Sequence, residues 1–152
     1  MKFEAELTIA RPAHEVWAYA ADIARHPDWM NVTDAIVTSG DGSQVGARGW
    51  EGMSFGPFHF KVGFEVTEAE PGRRIRWQTT GGAPFDGNLV LDLAPEGPSA
   101  TRATYRSTLV LRGLWRLAAP LIKMEGRAGL PRELRRLKTQ VENLPARSTA
   151  TS

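Results

Sequence analysis

The segment Gly113–Leu144, GLWRLAAPLIKMEGRAGLPRELRRLKTQVENL, decides the fold of this chain. In its second half, apolar residues recur at alternating intervals of four and three, which places them on one helical face: Leu130, Leu134, Leu137, Val141 and Leu144. The opposite face is charged and is predicted to lie in water; it carries Arg132, Glu133, Arg135, Arg136, Lys138 and Glu142. A long helix with one apolar face needs a large apolar surface to pack against.

The first half of the segment has an apolar set of its own, offset by about one residue from the second. Its members are Leu114, Leu117, Ala118, Leu121, Ile122 and Met124. Pro120, Gly126, Gly129 and Pro131 lie around the offset. Because proline removes a backbone donor and clashes with the preceding turn, we expect a kinked or broken helix. The second half is then predicted to anchor the core, and the first half to form a movable wall.

The residues before this segment predict strands and turns. Residues 2–9 and 58–66 alternate apolar with polar side chains, the period of a half-buried strand. The predicted strands are residues 2–9, Thr33–Ser39, Gly46–Phe55, Phe58–Glu68, a strand around Ile75–Thr79, Phe85–Leu93 and Thr101–Leu111. Pro12 and Asp22 open two short helices between the first two strands. Short turns require antiparallel pairing, so the sequence predicts an α+β protein with the last helix lying across one curved sheet.

Composition narrows the class of protein. With 152 residues, 41% hydrophobic and 24% charged, the chain fits one globular domain, predicted over residues 1–144 with a flexible polar tail at 145–152. No run reaches the ~18 apolar residues of a membrane span, and the N-terminus lacks a signal-peptide pattern. We therefore expect a cytoplasmic protein without stable membrane insertion. The absence of cysteine excludes disulfides and thiolate sites, and a net charge of +2 argues against a nucleic-acid partner.

Several stretches resemble one known family. They are IARPAHEVW (Ile9–Trp17), DIARHPDW (Asp22–Trp29), EAEPGRRIRW (Glu68–Trp77), FDG (Phe85–Gly87) and LKTQVE (Leu137–Glu142). In this order they resemble START-like proteins, the SRPBCC or polyketide cyclase/dehydrase and lipid-transport superfamily. The resemblance implies a helix-grip fold, in which seven strands wrap a C-terminal helix around an internal cavity. Members bind lipids, sterols, polyketides or other apolar molecules, and a minority catalyse reactions. No catalytic motif is shared across the superfamily, so none is carried over.

Large apolar side chains are the candidate ligand contacts. By themselves they fit either a plain core or a cavity lining, and the resemblance favours the cavity. The predicted ligand-binding residues are Trp29, Met30, Trp50, Met53, Phe55, Phe60, Phe64, Trp77, Phe85, Leu89, Leu114, Leu117, Ala118, Leu121 and Ile122.

Glu51 and Tyr105 are the catalytic candidates. Glu51 shares a strand face with Met53, and a carboxylate in an apolar cavity would have a raised pKa suited to acid–base chemistry. Trp50 competes for the inward position, so a rim or outward Glu51 paired with an arginine is the favoured alternative. His14, His26 and His59 lack metal-ligand spacing and are predicted to lie at the surface or to cap helices. We expect no metal and no cofactor.

The leading hypothesis is therefore binding or carriage of a hydrophobic small molecule, lipid or polyketide-like, between the sheet and the last helix. The alternatives are a cyclase or dehydratase acting on such a ligand and a protein-interaction module. The basic cluster Arg132–Lys138 is interrupted by Glu133 and is predicted to be a solvated helix face. Oligomeric state stays open.

Overall fold

Seven antiparallel strands form one curved sheet in the computed structural model, which describes residues 1–145. The strands are β1 (Lys2–Ile9), β2 (Ala35–Ser39), β3 (Arg48–Phe55), β4 (Phe58–Glu70), β5 (Arg74–Gly81), β6 (Phe85–Pro95) and β7 (Thr101–Leu111). Their order across the sheet is β1-β7-β6-β5-β4-β3-β2, so each strand from β2 to β7 pairs with its neighbour along the chain. The predicted tail falls, from residue 146 on, outside the described residues.

Short helices connect β1 to β2. They are α1 (Ala13–Ala21) and α2 (His26–Trp29), joined by a 3-10 turn at Ile23–Arg25. Asp22 caps that turn, because its carboxylate accepts a hydrogen bond from the Ala24 N–H at 3.1 Å. The chain ends in a 3-10 turn, Gly113–Ala118, followed by the long helix α3 (Ala119–Glu142). The predicted α+β helix-grip architecture is confirmed.

Helix α3 is continuous, so of the predicted kink or break near Gly126–Pro131 the break is wrong. Every residue from Ala119 to Glu142 is α-helical, with Pro131 inside the helix. The change of helix type comes earlier, at Ala118, just before Pro120 in the first turn. Proline in a helix interior costs about 3 kcal/mol. Burial of four side chains on one face of the same helix offsets that cost: Leu130, Leu134, Leu137 and Val141.

The offset between the two apolar sets has a different cause from the one predicted. Ile122, Gly126 and Gly129 continue the face of α3 that turns toward the sheet. Four other apolar residues point away from it and are exposed: Leu114, Leu117, Leu121 and Met124, here called the outer stripe. The first half of the segment therefore carries two apolar faces, one covered by the sheet and one open to solvent.

Candidate functional site

An apolar pocket of about 260 Å³ lies between α3 and the inner face of the sheet. Strands β3 to β7 supply most of its wall, because alternate residues of each strand turn inward. Its large apolar lining residues are Phe3, Met53, Phe55, Phe60, Val62, Phe64, Trp77, Phe85, Leu89, Leu109, Leu111, Trp115, Ile122 and Leu130. On the helix side, Gly126 lies close to β1: a Cβ added there would be 2.6 Å from the Phe3 ring.

The pocket reaches solvent beside α3, on the side where Asn31 follows α2. The exposed residues of its lining are Asn31, Glu125, Arg132 and Arg136. Three of these are charged and carry both signs, so the opening is polar while the interior is apolar. This arrangement suits an apolar molecule that retains a polar group.

Trp115 closes the pocket near the β3–β4 turn. Its ring packs edge-on against Phe55, Phe58 and Phe60, with centroid distances of 6.3, 5.1 and 5.4 Å. Such edge-to-face pairs are favourable beyond their buried area. Trp115 was absent from the predicted ligand contacts, although it lies between Leu114 and Leu117 in the same segment.

The predicted ligand contacts separate into two groups. Those that line the pocket are Met53, Phe55, Phe60, Phe64, Trp77, Phe85, Leu89 and Ile122. Those that lie elsewhere are Trp29, Met30, Trp50, Leu114, Leu117, Ala118 and Leu121.

The members of the second group lie in three places. Trp29 and Met30 are buried in the core behind the pocket. Trp50 lies on the other face of β3, where the Lys61 ammonium is 4.0 Å from the centre of its ring. Leu114, Leu117 and Leu121 belong to the exposed outer stripe, and Ala118 is half-buried beside it.

Glu51 lines the pocket and pairs with a buried histidine. Its Oε1 lies 2.5 Å from His26 Nδ1, and the other ring nitrogen, Nε2, is 3.0 Å from the Ala20 carbonyl oxygen. A carbonyl only accepts, so Nε2 carries a hydrogen. The short Nδ1–Oε1 contact then requires one proton between the two atoms. The pair is thus neutral overall, and the proton is shared between His26 and the Glu51 carboxyl, which lines the pocket.

The capping role predicted for the histidines holds for His26, because its Nε2 donates to the Ala20 carbonyl in the last turn of α1, but two other predictions about this pair are wrong. His26 is fully buried among aromatic rings, not at the surface, with Trp77 and Trp29 edge-on at 5.2 and 5.8 Å. Glu51 turns inward, and its partner is this histidine, not an arginine. The strand pattern alone left the orientation of Glu51 open, since the neighbouring Trp50 could have faced inward in its place.

Glu133 brings a second carboxyl group to the pocket. It accepts hydrogen bonds from the Tyr105 hydroxyl at 3.0 Å and from the Asn31 N–H at 3.1 Å. Burial raises the pKa of the Glu133 carboxyl to about 7, and the Glu51 carboxyl adds to the rise; the two hydrogen bonds and Arg136 oppose it. The prediction that Glu133 faces water is therefore wrong. Its spacing, three residues after Leu130 and four before Leu137, places it at the border of the inward face.

Tyr105 lies beneath the pocket and is not part of its lining. It is fully buried, and burial together with the neighbouring Glu133 raises the pKa of its hydroxyl well above the usual value. The hydroxyl therefore stays protonated and donates to Glu133. Tyr105 holds that carboxyl in place, a positioning role that differs from the acid–base role considered above.

Within residues 1–145, no group of three or more histidine, cysteine or acidic side chains is arranged to hold a metal ion. Among the helices of the same residues, none combines the length and apolarity needed to cross a membrane.

A curved antiparallel sheet that grips a C-terminal helix over an apolar pocket defines the START-like class of proteins. The family model for polyketide cyclase/dehydrase and lipid transport proteins matches residues 1–142, and this chain belongs to that family. A search of curated proteins found no significant match.

Solved structures of low sequence identity share the fold. A protein from Thermus thermophilus superposes with a TM-score of 0.81 at 19% identity, over 96% of this chain and all of that one. A START superfamily protein from Mycobacterium smegmatis gives 0.80 at 15% identity, over 95% and 99%. The Zhui aromatase/cyclase from Streptomyces sp. R1128 gives 0.79 at 14% identity, over 98% of each chain. At these identities the likeness concerns the fold alone.

Proposed function

We propose that this protein binds an apolar small molecule in the pocket between α3 and the sheet. The observation that carries the proposal is the pocket itself: about 260 Å³ lined mainly by aromatic and aliphatic side chains in a protein of 152 residues. Protein interiors are packed as densely as organic crystals, so an unfilled space of this size is not an ordinary packing defect. Membership of a family described by polyketide cyclisation and lipid transport supports the same proposal.

The size of the pocket favours a compact ligand. Its 260 Å³ lies just below the roughly 300–1,000 Å³ of typical small-molecule sites. A molecule of two or three fused rings, or one with a single short chain, fits that space better than a lipid with two long acyl chains. The ligand also carries at least one oxygen or nitrogen atom, because Glu51, Glu133 and Gln78 present polar atoms among the apolar walls.

Thermal-shift and native mass spectrometry measurements with a panel of compact polycyclic phenols and ketones, and with single-chain and two-chain lipids, test the proposal. We expect compact molecules to raise the melting temperature and to bind one per chain. Ser107→Phe would place a phenyl ring in the pocket and should abolish binding without loss of fold, while Ser43→Phe on an exposed turn should leave binding intact. Equal binding by both variants would place the ligand elsewhere, and failure of every compound to bind would contradict the proposal.

Acid–base catalysis on the bound ligand is a second candidate, favoured by the Glu51–His26 pair. In a dehydration, Glu51 would take the proton from the carbon beside a ligand carbonyl. Protonated Glu133 would give its proton to the hydroxyl group leaving from the next carbon. A carbon–carbon double bond and water are formed, and both carboxyl groups regain their original protonation by exchange with solvent. The raised pKa of Glu133 supports its role as the acid.

Catalysis and carriage are separated by Glu51→Gln, which keeps the shape of the side chain and removes the carboxylate that would accept the proton from the ligand. If the protein is an enzyme of this type, the variant should still bind β-hydroxy ketones but should no longer release dehydrated product, as measured by mass spectrometry. If the wild-type protein binds β-hydroxy ketones but forms no dehydrated product after prolonged incubation, the catalytic hypothesis is refuted and only binding or carriage of the ligand is supported.

A further inference from the structure

The outer stripe is an unpartnered apolar surface at the start of the C-terminal helix. Leu114 and Leu117 are 84% and 82% exposed, and Leu121 and Met124 are 59% and 66% exposed. Leu114 and Leu117 lie in the 3-10 turn and Leu121 and Met124 in the first turns of α3, and their intervals of three and four residues place them on one side of this helical segment. Exposed leucines scattered singly need no explanation, whereas four adjacent apolar side chains form a patch that marks an interaction surface.

Basic side chains flank the stripe. Arg116, Lys123 and Arg127 are exposed, and among the described residues none of the three forms an ion pair with a carboxylate. Lys123 and Arg127 also border a shallow surface groove together with Met124. The patch is therefore apolar at its centre and positively charged at its edge, which is complementary to a negatively charged partner.

The chemistry of the patch distinguishes between possible occupants. A second copy docked face to face would bring the same three cations together, which is unfavourable. A protein partner would be expected to meet aromatic anchors, but Trp115, the one aromatic residue in the segment, turns inward to the pocket. Four exposed aliphatic side chains on one side of a helical segment, edged by Lys and Arg, match the pattern of a helix that lies in a membrane interface.

We propose that the outer stripe docks this protein on the surface of an anionic lipid bilayer. Leu117, Leu121 and Met124 enter the boundary between headgroups and acyl chains, and Arg116, Lys123 and Arg127 contact lipid phosphates. Such binding is peripheral and reversible, because only a few side chains enter the bilayer and the helix does not cross it. This proposal concerns the outer face of the segment and does not depend on what the pocket binds.

The location of the stripe links it to the pocket. Trp115 and Ile122, from the same segment, line the pocket on the opposite side. A docked protein would therefore hold one pocket wall within about a helix diameter, roughly 10 Å, of the bilayer. An apolar molecule would have only a short path between the membrane and the pocket.

The absence of cysteine allows a direct test with the full chain. Leu117→Cys and Val45→Cys each provide a single site for an environment-sensitive fluorophore, and both positions are well exposed, at 82% and 63%. With phosphatidylcholine vesicles containing phosphatidylglycerol, we expect the fluorophore at residue 117 to brighten and shift to the blue. At residue 45, on the turn before β3, we expect no change. Vesicles of phosphatidylcholine alone should give a much smaller signal.

Vesicle co-sedimentation of unlabelled variants separates the apolar from the electrostatic contribution to membrane binding. Leu117→Asp combined with Leu121→Asp should lower the partition coefficient by at least about tenfold. Lys123→Glu combined with Arg127→Glu should lower it by a similar factor and weaken its dependence on salt. Val45→Asp, the matched control, should bind as the wild type does.

Three results would overturn the proposal. One is failure of the wild type to bind anionic vesicles at low ionic strength. Another is equal binding by Leu117→Asp/Leu121→Asp and Val45→Asp. The third is a concentration-dependent dimer in analytical ultracentrifugation that the same aspartates dissociate while vesicle binding is absent, since the stripe would then be an interface between copies of the chain.

Discussion

Replacing Glu133 by glutamine should remove a specific pH dependence from the stability of this protein. Burial holds the pKa of this carboxyl at about 7, against 4.5 for a solvated glutamate. The folded protein therefore binds more protons than the unfolded chain between these two values. Stability falls as the pH rises through that window, because ionising the buried group costs more in the folded state.

The magnitude follows from the two pKa values. A rise from 4.5 to about 7 makes the folded state less stable by about 3 kcal/mol above the window than below it, and about 2 kcal/mol of this accrues between about pH 5.5 and about pH 8.5. Glutamine does not ionise, keeps the shape of the side chain and retains a carbonyl oxygen for the Tyr105 hydroxyl or the Asn31 N–H. We therefore expect the unfolding free energy of Glu133→Gln, relative to that of wild type, to increase by about 2 kcal/mol from about pH 5.5 to about pH 8.5.

Urea unfolding followed by circular dichroism at both pH values measures this difference directly. Titrating groups common to both proteins cancel in the comparison. Glu125→Gln provides the control, because Glu125 lies on the same helix but is exposed and should follow wild type. If the wild-type and Glu133→Gln stabilities run parallel across the range, the carboxyl group of Glu133 is solvated and its assignment to the pocket is refuted.

Two further substitution pairs test the packing of α3. Gly129→Ala should stabilise the protein by up to about 1 kcal/mol, because the nearest atom to the new Cβ, Glu125 Oε1, is 3.4 Å away and alanine favours helix. Gly126→Ala should be less stable than Gly129→Ala by at least about 1 kcal/mol, since its Cβ would meet the Phe3 ring; equal values in thermal unfolding would contradict that contact. Leu134→Ala removes a fully buried side chain and should lower the unfolding free energy by about 2–5 kcal/mol, whereas Leu117→Ala in the outer stripe should leave it nearly unchanged. Similar losses of stability in urea unfolding would contradict the assignment of Leu134 to the inward face and Leu117 to the outward one.

The strands and the amphipathic half of the last helix were predictable because their signals are local. Strands β1 and β7 were predicted with the bounds they have, and the other strands differ by a few residues at their ends. The alternation of side chains along a strand and the 3.6-residue period of a helix depend on neighbours in the chain, and turn residues mark where each element stops. Leu130, Leu134, Leu137 and Val141 are buried as their spacing predicts.

The site was only partly predictable, and the errors share a cause. Glu133 was assigned to water because it is charged, although it lies at the border of the apolar face of the helix. His26 was predicted to lie at the surface or to cap a helix, because nothing near it in sequence reveals its contact with Glu51, which is 25 residues away. The continuity of α3 through Pro131 likewise depends on packing against the sheet, which outweighs the local preference of proline.

The sequence alone thus determines the order of strands and helices, the antiparallel pairing and the buried face of Leu130–Val141. Tertiary structure decides which polar groups share the pocket, which side of Leu114–Met124 meets solvent, and that Trp115 closes the pocket against Phe55, Phe58 and Phe60. These features depend on groups brought together from distant parts of the chain. Their burial, charge and pairing are therefore properties of the folded arrangement and cannot be read from any single segment.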